Sequence, residues 1–195
     1  IAGYATPVPF VVGGERCAAI FAGKALVARR VQDGQELWRL PWVEKWFLNV
    51  VDPIFSGEQV FISTLLKGGA LLRLGAHQPS VVWTNRGVAN HFSSCVLLNG
   101  HLYGIDGNTD APPKDLRCVE LTTGQVKWRS EGLGLASLMA ADGKLIVLSD
   151  KGELVIAEVS TESFTPRARA QVLGGKCWTV PVLANGRIYC RNARG

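Results

Sequence analysis

The sequence predicts an all-β fold: a β-propeller of four-stranded antiparallel blades, with about four and a half blades present. Three observations predict it. Trp38, Trp83 and Trp128 recur every 45 residues. Gly14, Gly57, Gly100, Gly143 and Gly186 recur every 43 residues. Between the glycines, apolar and polar residues repeat in one order. The combs drift by two residues per repeat, which reads as loop-length variation. The repeats divide the chain at approximately 1–45, 46–88, 89–131, 132–175 and an incomplete 176–195.

The first strand of each unit is the apolar run before the Gly turn: Pro53-Ile54-Phe55, Val96-Leu97-Leu98, Leu138-Met139-Ala140 and Val182-Leu183-Ala184. The second follows the turn, as in Val60-Phe61-Ile62 and Leu145-Ile146-Val147. The third covers Ala70 to Leu74, Leu116 to Leu121 and Glu153 to Val159; the fourth ends at the Trp, or near Val172 where the Trp is missing. The third and fourth are joined by a hairpin signal, clearest in LRCVELTTGQVKW (Leu116 to Trp128) and weaker in LVARRVQDGQELW (Leu26 to Trp38). Four short strands in about 44 residues is one blade, the period of WD-like repeats.

These segments resemble the pyrroloquinoline-quinone-like (PQQ-like, quinoprotein or tryptophan-docking) propeller repeat, whose unit carries ALDxxTGxxxW. CVELTTGQVKW is the close match and ARRVQDGQELW a looser one. LRLGAHQPSVVW keeps the Trp without the Thr-Gly, and VIAEVSTESFTPRARAQV lacks both. The resemblance implies that Trp38, Trp83 and Trp128 dock on neighbouring blades, with Gly34 and Gly124 at the turns.

Composition narrows the function. The chain is 47% hydrophobic, enough for a core, with net charge +5 from 21 basic and 16 acidic residues. The bases are scattered, with Arg29-Arg30 the one adjacent pair, so no clustered patch calls for nucleic acid. No apolar run reaches the roughly 18 residues of a membrane span. Cys17, Cys95, Cys118, Cys177 and Cys190 form no CxxC and fit mostly as buried thiols on apolar strands. The single Met139 and the incomplete last unit read as an excerpt of a longer propeller of seven or eight blades. Open strand edges would invite self-association.

In a propeller, the links from one blade's outer strand to the next blade's inner strand cross one face. Here they read LPWVEKWFLNVVDPIF, RGVANHFSS, EGLGLASL and LGGKCWTVP. Trp42, Trp46 and Phe47 fit a helical stripe or a loop over that face. Trp46, Asn49, Asp52, Asn90, His91, Lys176 and Trp178 are the candidate ligand- or partner-binding residues, because aromatic anchors with polar neighbours are typical of interaction surfaces. The alternative for each is a solvated or strand-capping loop residue.

Catalytic constellations are missing. His77 and His101 fall at turns, and no HxxxH, HExxH or GxSxG occurs. GLGLAS from Gly132 opens no helix and lacks a third Gly, so it is no dinucleotide fingerprint. Asp106, Asn108 and Asp110 have the spacing that begins a calcium loop, but Ala111 and Arg117 fail its later positions; a plain surface loop is expected, with no metal. In the resembled family, quinone-dependent dehydrogenases use an Asp base, calcium and often an adjacent Cys pair. That pair is absent here, and the resemblance points to the non-catalytic, BamB-like branch. The expected function is therefore a binding or scaffold module with no cofactor and a protein partner on one face, periplasmic or otherwise exported. The alternatives are a fragment of a PQQ-dependent alcohol or sugar dehydrogenase, with PQQ and calcium, and a small-molecule or glycan-binding propeller.

Overall fold

Glycine turns set the register of every blade. The computed structural model describes residues 2–75, 78–109 and 113–194; His77 and Asp110 lie outside them. At Gly13-Gly14, Asn99-Gly100, Asp142-Gly143 and Asn185-Gly186 both central residues have φ between 48° and 81°. That sign pattern matches two-residue turns whose twist suits antiparallel strands. The five glycines of the comb thus each close a first hairpin.

The described residues contain no helix, and so none long and apolar enough to cross a membrane. They form a β-propeller fold of roughly four blades. Packing divides the chain into two units, Ile1–Phe92 with Thr122–Gly124, and Ser93–Leu121 with Gln125–Gly195. Unit 1 holds β1 (Val8–Val12), β2 (Glu15–Ala22), β3 (Ala25–Arg30) and β4 (Glu36–Pro41) in one sheet, and β5 (Ile54–Ser56), β6 (Gln59–Thr64), β7 (Gly68–Arg73) and β8 (Ser80–Asn85) in a second. Unit 2 holds β9 (Val96–Leu98), β10 (His101–Gly107), β11 (Lys114–Glu120) and β12 (Val126–Ser130), then β13 (Ser137–Ala141), β14 (Lys144–Leu148), β15 (Glu153–Glu158) and β16 (Pro166–Gln171). A hairpin of β17 (Val182–Ala184) and β18 (Arg187–Tyr189) follows. In each sheet strands pair in chain order, all antiparallel.

The middle strands of the blades carry the core. Val60, Leu71, Leu72, Leu102, Leu116, Leu145 and Val155 are fully buried. In unit 1, Trp38 joins one cluster with Phe10 and Ala28 of its own sheet and Val60, Ile62 and Leu72 of the next.

The outer strands do not end at the Trp, as the sequence reading had it; they run two or three residues past it. The structure also reveals a bulge just before each Trp. Ala28 faces Trp38 while Arg29 faces Glu36, leaving Leu37 as the extra residue. Val82 is extra before Trp83, Lys127 before Trp128, and Arg167 before Ala168 in the blade that lacks the Trp. A bulge bends its strand and re-aims the following side chain. Here it brings the indole opposite a buried residue of the third strand. Trp128 then donates its Nε1–H to the carbonyl of Ser160, 2.9 Å away in the loop between β15 and β16. Tyr103 Oη donates to the same carbonyl at 3.3 Å, and Phe164 lies 6.0 Å from the Trp128 ring.

Gly124 is required twice over. Its φ is +71°, and a Cβ there would run into Asn85 Nδ2 and reach 3.1 Å from the Trp83 ring. Asn85 donates to the Gly124 carbonyl at 3.0 Å. Gly34 shares the backbone conformation, with φ +74°, but nothing approaches it.

Trp128→Ala is expected to destabilise the protein by about 3–5 kcal/mol, the range for deleting a large buried aromatic. Urea unfolding that matches the parent within error would contradict a docked ring.

Candidate functional site

The candidate residues separate into those that hold the links and those that the links present. In unit 1, residues 42–53 between β4 and β5 form an irregular loop, not a helical stripe. Trp42 is buried and donates toward Thr64 Oγ1 at 3.4 Å, with Lys67 Nζ 4.8 Å from its ring. Asn49 is also fully buried. Its Nδ2 donates to the carbonyls of Ala22 at 2.6 Å and Trp42 at 3.3 Å, and its own carbonyl accepts from Tyr4 N. Asp52 is half-buried and accepts from Thr6 N at 2.6 Å. Asn90 is buried, its backbone N–H donating to Ser63 Oγ at 3.1 Å, while Ser63 donates to the Val88 carbonyl. Asn49 is therefore a brace inside its loop, its amide satisfying backbone groups that an irregular link leaves unpaired, and Asn90 is buried beside Ser63.

What remains accessible is aromatic and basic. Trp46 is 54% exposed with Lys45 Nζ 5.1 Å from its ring. Phe47 has the left-handed φ of 58°, uncommon for a bulky residue, and Lys24 Nζ lies 5.0 Å from its ring. His91 is half-buried, its ring 5.7 Å from Phe92.

Sequence reasoning passed over Glu44, which pins this loop. Its carboxylate is buried and accepts from Leu66 N in the β6–β7 turn; Oε2 has no hydrogen-bond partner among the described residues. Burial pushes its carboxyl above the ordinary glutamate range, against the pull of Leu66 N–H and Lys67.

In unit 2, Lys176 and Trp178 lie on the link after β16, with Lys176 Nζ 4.2 Å from the indole. Trp178, Lys176, Lys114, Lys151 and Asp150 line a cleft of about 580 Å³. An adjoining cleft of about 770 Å³ lies along the Glu131–Gly134 link and the turn before β15. Asp150 Oδ2 accepts from Leu135 N at 3.2 Å. A side chain at Gly134 would meet that carboxylate, so this Gly-rich link is shaped to the turn beneath it. It leads into β13 and opens no helix.

The expected surface loop at Asp106 needs correction. Asp106 is buried within β10, directly opposite Asp115 of β11. Like charges facing each other destabilise a ladder. Arg117 bridges them, its Nη2 2.8 Å from Asp106 Oδ2 and 3.1 Å from Asp115 Oδ1. The guanidinium thus already neutralises Asp106, the one described acid that the calcium-like spacing singled out. No group of three His, Cys, Asp or Glu among the described residues is placed to hold a metal ion. The signal for this triad was a polar residue ending an otherwise apolar second strand, as at Ser63-Thr64, Asp106 and Ser149.

Residues 2–130 match the family model described as outer membrane protein assembly factor BamB. No curated protein matches the sequence. Among solved structures, BamB from Moraxella catarrhalis superposes with a TM-score of 0.70 at 14% identity, covering 100% of this chain and 57% of that one. The WD40 β-propeller domain of Doa1 gives 0.65 at 15% identity, covering 95% and 60%. The computationally designed Ika8 protein gives 0.67 at 9%, covering 92% and 53%. At these identities the likeness is one of fold. The chain spans little more than half the length of the BamB structure.

Two outcomes follow from the buried charges. Arg117→Ala leaves two facing carboxylates without their cation and is expected to destabilise by about 3–5 kcal/mol; a thermal midpoint equal to the parent's would contradict the bridge. Glu44 holds a proton in the folded chain where the unfolded chain has lost it. Its contribution is therefore fully present below the ordinary glutamate range and declines as pH rises through the raised pKa. Stability measured by urea unfolding across that window is expected to fall less in Glu44→Gln than in the parent. Parallel pH profiles would remove Glu44 as the cause.

Proposed function

The chain belongs to the family of the outer membrane protein assembly factor BamB, and from that premise we propose that it is a non-catalytic propeller module that binds a protein partner through its link face in a bacterial envelope, on the periplasmic side. One observation carries this reading. On the links, Trp46 and Trp178 stand exposed beside lysines, while Asn49 is buried with its amide donating to backbone carbonyls. Exposed aromatic rings flanked by charge supply large contact area with few rotatable bonds, the composition of interaction hot spots. Among the described residues no activated nucleophile or oriented base accompanies them, so binding is the chemistry these side chains support.

The second cleft of unit 2 favours one further reading. About 580 Å³ lined by Trp178 and three lysines has the size and character to take an anionic small molecule or glycan.

The test is alanine substitution at Trp46, His91 and Trp178 in the intact protein, followed by crosslinking and capture from envelope extracts. Each variant is expected to fold and to lose about tenfold or more in partner affinity, since 1.4 kcal/mol is tenfold. The reading fails if all three capture as the parent does while Arg167→Ala and Arg169→Ala, on the exposed outer strand, do not. It also fails if the intact protein oxidises alcohols or sugars when given quinone and calcium.

A further inference from the structure

Six cations of unit 1 fall into two classes. Arg29, Arg30 and Arg39 each lie within 3.2 Å of a carboxylate, from Glu36, Glu15 or Asp33. Lys24, Lys45 and Lys67 contact aromatic rings, at 5.0, 5.1 and 4.8 Å, and pair with no carboxylate among the described residues. All three are exposed and belong to loops at one end of the strands: the β2–β3 turn, the 42–53 link and the β6–β7 turn. Arg86, which donates to the Leu66 carbonyl, adds a fourth cation at that end. The acids there are withdrawn. Glu44 is buried against Leu66 N, and Asp52 accepts from Thr6 N.

The same loops, and the segment before β1 that bonds to Asn49, expose apolar side chains. Tyr4 is 74%, Trp46 54%, Val43 47% and Leu66 38% exposed. These positions form one connected patch: Glu44 ties the link to the β6–β7 turn, Asn49 ties it to the β2–β3 turn, and Arg86 ties the next link to Leu66.

We infer that this end of unit 1 is a docking surface for an extended acidic segment of a partner protein, one that alternates carboxylates with apolar side chains. The inference rests on the protein-binding reading above and names the chemistry of the partner. Charge complementarity carries it. Lysines resting on ring faces still present their N–H donors to solvent, and an approaching carboxylate would compete only with the buried Glu44 beside Lys67. The segment's carboxylates meet the lysines, and its neighbouring apolar side chains meet the exposed Val43, Leu66 and Trp46. A membrane surface is the less favoured occupant, because the lysine beside Trp46 and the burial of Trp42 leave no purely apolar tip to insert.

The experiment uses the intact protein and a labelled peptide that alternates Glu with Leu and Phe, read by fluorescence anisotropy. A Gln-for-Glu peptide and phosphatidylglycerol vesicles are the comparison probes. The Glu peptide is expected to bind, to weaken with added salt, and to weaken at least tenfold in the Lys24→Gln, Lys45→Gln, Lys67→Gln triple variant. A variant carrying Arg29→Gln and Arg39→Gln is expected to bind as the parent does. The substituted lysines are exposed, and matching thermal midpoints check that the triple variant folds. Equal binding by the triple variant, equal binding of the Gln peptide, no binding of the Glu peptide, or binding of the vesicles in its place each overturns the inference. If the peptide fails while partner capture still depends on Trp178 or His91, the protein-binding reading stands without this surface. If both fail, both fall.

Discussion

Three of the four four-stranded blades depend on a tryptophan that leaves its own sheet's register. A regular strand alternates its side chains between two faces, and a ring placed by alternation alone would follow that rhythm. The extra residue before Trp38, Trp83 and Trp128 breaks it. The indole is freed to pack beyond the sheet, and at Trp128 its N–H reaches a carbonyl in the next loop. One carbonyl receiving both Trp128 and Tyr103 makes the contact directional, where apolar burial alone would let the surfaces slide.

That fixed stacking explains why the links can be irregular. Long loops carry backbone groups with no ladder to satisfy them. Asn49, Ser63, Glu44 and Asp150 supply the missing partners from side chains, each tying a link to a neighbouring turn or link. The loops are thereby held as shaped surfaces, and the exposed rings and lysines on them keep defined positions. Binding surfaces of this kind combine a rigid scaffold with variable loops.

Strand order, Gly turns and the docking tryptophans were legible in the sequence because each depends on local periodicity. Gly124 was legible as a turn, though not as the partner of Trp83 and Asn85, which is a tertiary contact. The bulges were not legible, since LeuTrp, ValTrp and LysTrp share no composition that announces an extra residue. Asn49 and Asn90 are buried, a placement the sequence could not show, because a buried amide and an exposed one look alike in a polar link. Asp106 misled, an acid in an apparent surface loop that is buried in a strand, and Glu44 was passed over because nothing in a polar link marks one acid as buried. Trp46, Lys176 and Trp178 were correctly placed on loops and are exposed, because aromatic residues outside strand periodicity have no core to enter.

The fourth blade separates two things that coincide elsewhere. Its bulge at Arg167 is retained although Ala168 stands where the other blades have Trp. The socket's geometry and its occupant are therefore encoded independently, the first by backbone register and the second by one side chain. A blade built this way is modular in the manner of a fitting with an interchangeable pin. The lineage of such a repeat can drop or regain the ring by a single codon without rethreading the sheet, so the strength of each seam becomes a trait that evolves one blade at a time.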